Sequence, residues 1–465
     1  MLKLRVRFSG LLAALILAAV FAGSLRAQTR VVRVATYNIE ADINGATAAL
    51  PGLIAPPGNV TDFQAGGVLA GIGEELLNGN AQPIDVLALQ ETTSNTQTVA
   101  PIASALNTFY GVAGMYSNSS YQATESGGVA TSGNGPNAVV FNTRTVQLVA
   151  SVPVDPAGGP NQLGSSSGEY REVMRYKFAP AGVPVTASNV FYVYVSHYKS
   201  GTGSSNIAYR NGEAQIIRTN EALDLPANAR VIYVGDYNVT ASSEAGYQAM
   251  LAATAPNGVA QGAGIDPMNT NDNQSVNWGA ATTATNLLAM ETEHSYDLEY
   301  RDDLQVMTTN VYYGAPGGFS YVPGTYHVFG NNGTIAYYGS VNSGGNTALA
   351  GRLVTNGPVF IPAAQLFLDL TNASDHLPVV ADYTVPLPAP AISGASLDGS
   401  KLVVALANCA TNGGLTLLMG PSLGTPLSNW TTIATATATN GSVTITATNV
   451  WNATNRAGFF ILREK

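Results

Sequence analysis

The stretch Val231-Ile-Tyr-Val-Gly-Asp-Tyr-Asn-Val239 sets the frame for the rest of the chain. Its apolar run, Val231 to Val234, reads as a strand. Asp236 and Asn238 follow two residues apart, so an extended segment places them on one side. Polar residues at a strand end project into a cleft while the strand fixes their backbone, as a preorganised site requires.

Upstream, Phe191 to Ser196 reads as another strand, and Ile207 to Leu223, between the two, as a helix. Nearer the N-terminus, Val31 to Ile39 reads as a strand and Asp85 to Leu89 as a short buried one, while Leu69, Ile72 and Leu76 fall on one helical face. Phe141, Leu148 and Val149 belong to strands around a turn at Asn142 to Arg144. This alternation predicts an α/β domain over residues 28–385, a two-layer α/β sandwich with central β-sheets and not a repeat protein. Two Gly/Asn/Thr/Tyr-rich segments, about 253 to 292 and 311 to 362, read as long insertions that shape the substrate pocket.

Pro386, Pro388 and Pro390 mark a linker over 386–392. Beyond it the periodicity changes to two, and residues 393–465 predict a small all-β sandwich. Trp430 to Thr448 reads as two alternating strands joined by a hairpin at Asn440-Gly441, and Lys401 to Leu406, Leu415 to Met419 and Phe459 to Leu462 supply further strands. With no His and no cluster of ionisable residues, this module reads as a spacer or attachment unit.

At the other end Lys3, Arg5 and Arg7 precede an uncharged stretch from Leu11 to Ala22 and small residues before Ala27, the pattern of a secretory signal peptide over residues 1–27. Its apolar run is shorter than the ~20 residues that span a bilayer, so the expectation is secretion without integral membrane association. Cleavage removes four basic residues (Lys3, Arg5, Arg7, Arg26) and no acid, moving the formal charge from −9 to −13. Cys409 is the single cysteine, so an internal disulfide is excluded. Such an acidic chain is poorly suited to a broad electrostatic grip on duplex nucleic acid, which rests on Lys and Arg neutralising phosphates.

Three more segments place polar residues beside apolar strands. Val34-Ala-Thr-Tyr-Asn-Ile-Glu40 carries Asn38, Asp85-Val-Leu-Ala-Leu-Gln-Glu-Thr92 carries Glu91, and Ser374-Asp-His-Leu-Pro-Val379 carries Asp375 and His376. With Asp236 and Asn238, they resemble in order the signature segments of the endonuclease/exonuclease/phosphatase superfamily. Tyr194-Val-Ser-His-Tyr-Lys-Ser200 and Tyr170-Arg-Glu-Val-Met-Arg-Tyr-Lys-Phe178 resemble the His strand and the Arg-Glu strand of its deoxyribonuclease-like branch. The resemblance spans about residues 31 to 384 and leaves out the C-terminal module.

That resemblance implies metal-dependent phosphoester hydrolysis. Glu91, with Asn38 and Asp375, is implied to hold a divalent ion, Mg²⁺ first and Mn²⁺ or Ca²⁺ as alternatives. His376 is the implied general base, oriented by Asp303 or by Asp297; His197 is the general acid or a donor to a phosphate oxygen. Asp236 and Asn238 position nucleophile and phosphate, and Arg171 stabilises negative charge, with Lys199 and Arg210 as lesser cations. Glu125 is the nearest candidate for the Glu that pairs with the acid His in that branch. Taken singly, each Asn could be a turn former and Arg171 could pair with Glu172; His294 and His327 read as structural. Two of only four His, however, fall inside these motifs. The expected substrate is nucleic acid or a nucleotide, with a lipid or sugar phosphate as alternative. The rival of another class is a non-catalytic extracellular binding protein on the same fold.

Overall fold

The computed structural model describes residues 2–7, 28–41, 64–120, 135–154, 170–255, 258, 262–268, 278, 289–294, 298–314, 317–354, 361–388, 391–398, 401–407, 414–420, 426–437, 442–448 and 457–464. The chain divides into two units. One is Val31–Ala179 with Ser188–Val385; the other is Met1–Arg30, Pro180–Ala187 and Pro386–Lys465.

In chain order the principal elements begin with β1 (Leu2–Arg7), β2 (Gln28–Asn38), α1 (Gln64–Glu74), β3 (Val86–Gln90), α2 (Ala100–Phe109), β4 (Tyr116–Asn118) and β5 (Ala138–Asn142). There follow β6 (Val146–Val154), β7 (Val173–Pro180), β8 (Phe191–His197), α3 (Ser204–Asp224), β9 (Val231–Asp236), α4 (Ala245–Leu251) and β10 (Asp303–Thr308). Last come α5 (Ala363–Ala373), β11 (Val379–Leu387), β12 (Ala391–Asp398), β13 (Lys401–Ala407), β14 (Gly414–Gly420), β15 (Thr431–Thr437), β16 (Ser442–Ala447) and β17 (Ala457–Glu464).

Two large sheets, with two further two-stranded ones among the described residues, build the larger unit. The first runs Ser320–Tyr321, β11, β2, β3, β5, β4; the second runs Gly264–Ile265, β10, β9, β8, β7, β6. Each has a parallel pair at its centre, β2 with β3 and β8 with β9. Period-two patterning explains how they meet. On β8, Phe191, Val193 and Val195 enter the core that also holds Val34, Val86 and Val379 of the first sheet. Tyr192 and Tyr194 point the other way, onto Ala214 and Ile217 of α3. β9 repeats the pattern, with Ile232 and Val234 inward and Val231 and Tyr233 towards the helix. Each such aliphatic side chain contributes ~1.5–3 kcal/mol on burial. α1 and α5 approach each other where Gly71 meets Leu366, adding Leu69, Ile72 and Leu370 to the first sheet's core. The result is the expected α/β sandwich, two α/β layers joined through their sheets.

Two local expectations are corrected, the helical place of Leu76 and the reading of 311–362 as an insertion, and the turn between β5 and β6 holds. Leu76 leaves the helical face, because α1 stops at Glu74 and the Leu76 amide donates to the Arg352 carbonyl at 2.6 Å. β5 and β6 flank the turn as expected, and they enter different sheets, so the chain crosses the sandwich there. The 311–362 segment is largely built into the fold. Ser320–Tyr321 and His327–Val328 pair with β11, and Ile335, Val341 and Leu349 are core residues. Of 253–292, Gly264–Ile265 forms the edge of the second sheet.

The smaller unit has a sheet ordered β1, β17, β14, β15 and another ordered β12, β13, β16. Strands occupy Pro386 and Leu387 (β11) and Ala391 and Ile392 (β12) at the two ends of the Pro-rich stretch. The hairpin expected at Asn440-Gly441 does not pair its strands: β15 pairs with β14 and β16 with β13. The reason is a core shared between the two sheets, since Val443 and Ile445 of β16 meet Leu402 and Val404 of β13 and Leu415 and Leu417 of β14 there. The residues of the turn itself, 438–441, lie outside the described residues. β1, inside the stretch read as a signal peptide, lies antiparallel to β17 from Leu2 opposite Leu462 to Arg7 opposite Ala457. Its alternation of apolar and basic residues suits a strand as well as a leader. The apolar run of that leader, 11–22, lies outside the described residues. Among those residues no helix is long and apolar enough to cross a membrane.

Candidate active site

Asn38, His197 and Asp236 are the last residues of β2, β8 and β9, and Glu91 follows β3. Asp303 opens β10, and His376 lies just before β11. Four strands therefore end, and two antiparallel ones begin, at one rim of the sandwich. Beyond three of these ends the chain turns through a left-handed residue: Glu40 (φ 49°), Glu91 (φ 52°) and Asn238 (φ 50°). Each costs ~1–2 kcal/mol for a side chain with a Cβ. Backbone hydrogen bonds hold the first two, from Ile39 N to Gln90 O (3.2 Å) and from Ala41 N to Glu91 O (3.0 Å). Asp236 holds the third by accepting the Asn238 amide at 2.9 Å.

Two glycines allow the close packing behind the site. At Gly235 (φ 144°) a Cβ would lie 1.9 Å from the Ser196 carbonyl oxygen. At Gly135 (φ 35°) it would lie 2.7 Å from Cα of Glu91.

Asp236 Oδ2 is the hub. Asn38 Nδ2 donates to it at 3.1 Å and to Glu91 Oε1 at 3.1 Å, while Asn38 Oδ1 accepts the Glu40 amide, which fixes the orientation of the side chain. His197 Nε2 lies 3.3 Å from Asp236 Oδ2 and 3.5 Å from Glu91 Oε1. His376 Nε2 lies 3.9 Å from the same Asp236 oxygen and 3.5 Å from Asp375 Oδ1. Its other nitrogen, Nδ1, is 2.7 Å from Asp303 Oδ2. Asp297, the alternative partner, and Glu125 lie outside the described residues.

The electrostatics follow from burial and these neighbours. Burial alone would raise the Asp236 carboxyl, but the facing His197 and His376 hold it below the ordinary carboxylate range. Burial pushes Asp303 up to about 7. For His376, burial acts to lower the pKa, and the Asp303 carboxylate outweighs it, so the ring titrates well above 6.5. Burial and then the neighbouring Asp375 push Glu40 up to about 7.

Glu91, His197 and Asp236 offer ligand atoms that all lie within 4.8 Å of one another. Two carboxylates and an imidazole fit a divalent cation by donor chemistry. Of the expected metal set, Asn38 sits beside this group, whereas the Asp375 carboxylate lies against His376 and its amide donates to Glu40 Oε2 at 3.0 Å. Arg171 is buried, donates to Ser200 Oγ at 3.1 Å and acts electrostatically on Asp236. Asn238 Nδ2 donates to the Tyr198 carbonyl at 3.0 Å. Arg210 is not a site cation: it is bonded to Glu244 and to the carbonyls of Lys199 and Gly201. His327, bonded to Glu75 at 2.7 Å, is structural as expected.

Sequence reasoning assigned no role to three residues that frame the site. Glu40 stood inside a quoted motif, so its signal was present. Thr292 Oγ1 accepts the amides of Asp302 and Asp303 at 2.9 Å each, and Glu213 of α3 accepts those of Arg171 (2.7 Å) and Lys199 (3.0 Å). Neither lies in a segment whose pattern points to the rim.

The model of the endonuclease/exonuclease/phosphatase family matches residues 35–286, more than half of the 465-residue chain. The chain belongs to that family. Like its members, this endonuclease/exonuclease/phosphatase protein is a metal-dependent hydrolase of phosphoester bonds. The match includes Asn38, Glu91, Arg171, His197, Asp236 and Asn238 and stops before Asp303, Asp375 and His376, which the geometry brings in. Among solved structures, the chain is similar to the human Nocturnin catalytic domain with bound sulfate (17% identity, 77% of this chain and 97% of that one, TM-score 0.41). It is also similar to an endonuclease/exonuclease/phosphatase from Bacteroides vulgatus (16% identity, 77% and 99%, TM-score 0.42). D. rerio TDP2 complexed with a single-strand DNA product is a third (12% identity, 76% and 98%, TM-score 0.40). No curated relative matches the chain.

Proposed function

We propose that this family member is an exported nuclease or phosphodiesterase that cleaves phosphodiester bonds by in-line attack of water. The observation that carries this reading is the meeting of two histidines at one buried carboxylate oxygen, Asp236 Oδ2, at 3.3 and 3.9 Å. His376, in its neutral form, is the general base. Asp303 engages its Nδ1, leaving Nε2 to take the proton of the attacking water. Asp236 and Asn238 position that water and the phosphate. His197, which also faces Asp236 Oδ2, protonates the departing alkoxide, and Arg171 offsets the charge that develops on phosphorus-bound oxygens. A divalent cation, Mg²⁺ by preference with Mn²⁺ or Ca²⁺ as alternatives, would be held at Glu91 with Asn38, Asp236 and Asp375 as the surrounding donors and would supply charge neutralisation at the phosphate.

The leader-like N-terminus supports export, and the His197 strand supports a nucleic acid or nucleotide substrate. The acidic charge favours single phosphodiester groups over a long duplex. The test is hydrolysis of plasmid DNA, bis-p-nitrophenyl phosphate, p-nitrophenyl phosphate and sphingomyelin by the mature protein, with Mg²⁺, Mn²⁺ or Ca²⁺ and with chelator. Metal-dependent cleavage of plasmid DNA and bis-p-nitrophenyl phosphate, lost in His376→Ala, is the expected result. Preference for sphingomyelin or for the monoester would reassign the substrate, and activity undiminished in His376→Ala would remove the base.

A further inference from the structure

Between the two sheets the core is apolar, with a wholly buried exception at Gln305. Gln305 follows Asp303 by two residues on β10, so the two side chains share the face turned towards the first sheet. Its Nε2 donates to the Val34 carbonyl on β2 at 3.1 Å and to the Val379 carbonyl on β11 at 2.8 Å. Its Oε1 accepts the Tyr383 hydroxyl at 2.9 Å, which fixes the amide's orientation. The backbone is held as well, since the Gln305 amide donates to the Tyr326 hydroxyl at 3.2 Å.

β2 leads from Val34 to Asn38, and β11 begins at Val379 just beyond His376. One side chain thus joins the strand that carries Asp303 to the two strands that carry Asn38 and His376. Across the same gap Asp303 meets His376 at 2.7 Å. Resting on the assignment of His376 as base, we propose that Gln305 is a positioning residue, whose amide sets the separation of the sheets beneath the site and so the placement of His376 against Asp303 and Asp236. Apolar side chains pack over a range of sheet offsets, whereas an amide with both ends engaged permits a narrow one. An error near 1 Å in the placement of a reacting group costs on the order of a hundredfold in rate.

The test is a double-mutant cycle of Gln305→Met with His376→Ala, assayed on bis-p-nitrophenyl phosphate with Mg²⁺. Gln305→Met keeps the volume and removes the amide. Its kcat is expected to fall about tenfold to a hundredfold, with KM and the Mg²⁺ half-saturation unchanged. In the His376→Ala background the same change is expected to cost nothing further. Wild-type kcat in Gln305→Met, or an equal loss in both backgrounds, overturns the proposal. His376→Ala with full activity overturns the base assignment and this inference together; full loss there beside an unaffected Gln305→Met overturns the inference alone. If Gln305→Met does not fold, Tyr383→Phe, which removes only the hydroxyl that orients the amide, takes its place with the same criteria and a smaller expected fall. An independent readout is the NMR resonance of the His376 Nδ1 proton. It is expected to move towards the free-imidazole position in the Gln305 or Tyr383 variant, and an unchanged resonance overturns the proposal.

Discussion

Arg33 and Asn38 lie on the same strand, β2, and both are wholly buried, yet their surroundings are built on opposite rules. Arg33 is matched and saturated. Its guanidinium meets both oxygens of Asp382 at 2.7 and 3.1 Å and donates to the carbonyls of Ile72 and Glu75 at 2.7 and 3.0 Å. Asn38 stands among carboxylates faced by imidazoles at 3.3 to 3.9 Å. Short, charge-balanced contacts give a fixed piece of scaffold. Looser contacts around surplus negative charge leave a site able to take a cation and a phosphate, and departures from local consistency of this kind mark function.

The largest expected effect falls at the site. Glu91→Ala should lower metal-dependent turnover on the order of a thousandfold and abolish the metal dependence of what remains. Its thermal stability should stay at or above wild type, since the change relieves clustered negative charge. His197→Ala should slow turnover with less effect on metal affinity. Full, chelator-sensitive activity in Glu91→Ala would break the comparison at its catalytic end.

At the scaffold end the expectation is reversed. Arg33→Met should cost ~3–5 kcal/mol of stability, because Asp382 is left buried and unmatched. Combining it with Asp382→Leu should recover most of that loss. The kcat of the folded fraction should not change in either protein. Urea titration and assay of the same samples decide this, and a large fall in kcat would show that the two ends are coupled.

The smallest effect concerns Glu213, a buried carboxylate held by the backbone amides of Arg171 and Lys199. Burial pushes it up to about 7 from an ordinary 4.5. An acid whose folded pKa exceeds its unfolded one binds its proton more tightly when folded. Its contribution is therefore present below 4.5 and lost as pH rises through about 7. Between those limits the Tm of the wild type should fall relative to Glu213→Gln. Parallel Tm profiles would place Glu213 with the matched scaffold instead.

The rim residues Asn38, Glu91, His197, Asp236, Asp375 and His376 were legible because each adjoins an apolar strand whose pattern is local, whereas Asp303 was left as an alternative to Asp297. Thr292 was not. It braces Asp303 from a stretch with no periodicity, and only hydrogen bonds across the fold give it a role. Arg210 misled for the converse reason: a cation on the helix that follows the His197 strand looks the same in sequence whether it faces the substrate or Glu244. The turn at Asn440-Gly441 misled because hairpin propensity is local, whereas the backbones of β15 and β16 are paired in separate sheets around one core.

By itself the sequence determined which residues are chemically able to act, through motif order, and that strands would hold them, through hydrophobic periodicity. The tertiary structure decided which of them meet. Asp236 became the hub of two histidines, Asp303 the partner of His376, and Gln305 the tie between sheets, because these contacts join residues far apart in the chain. Local pattern carries no information on such pairings; they are fixed by how two twisted sheets come to rest against one core.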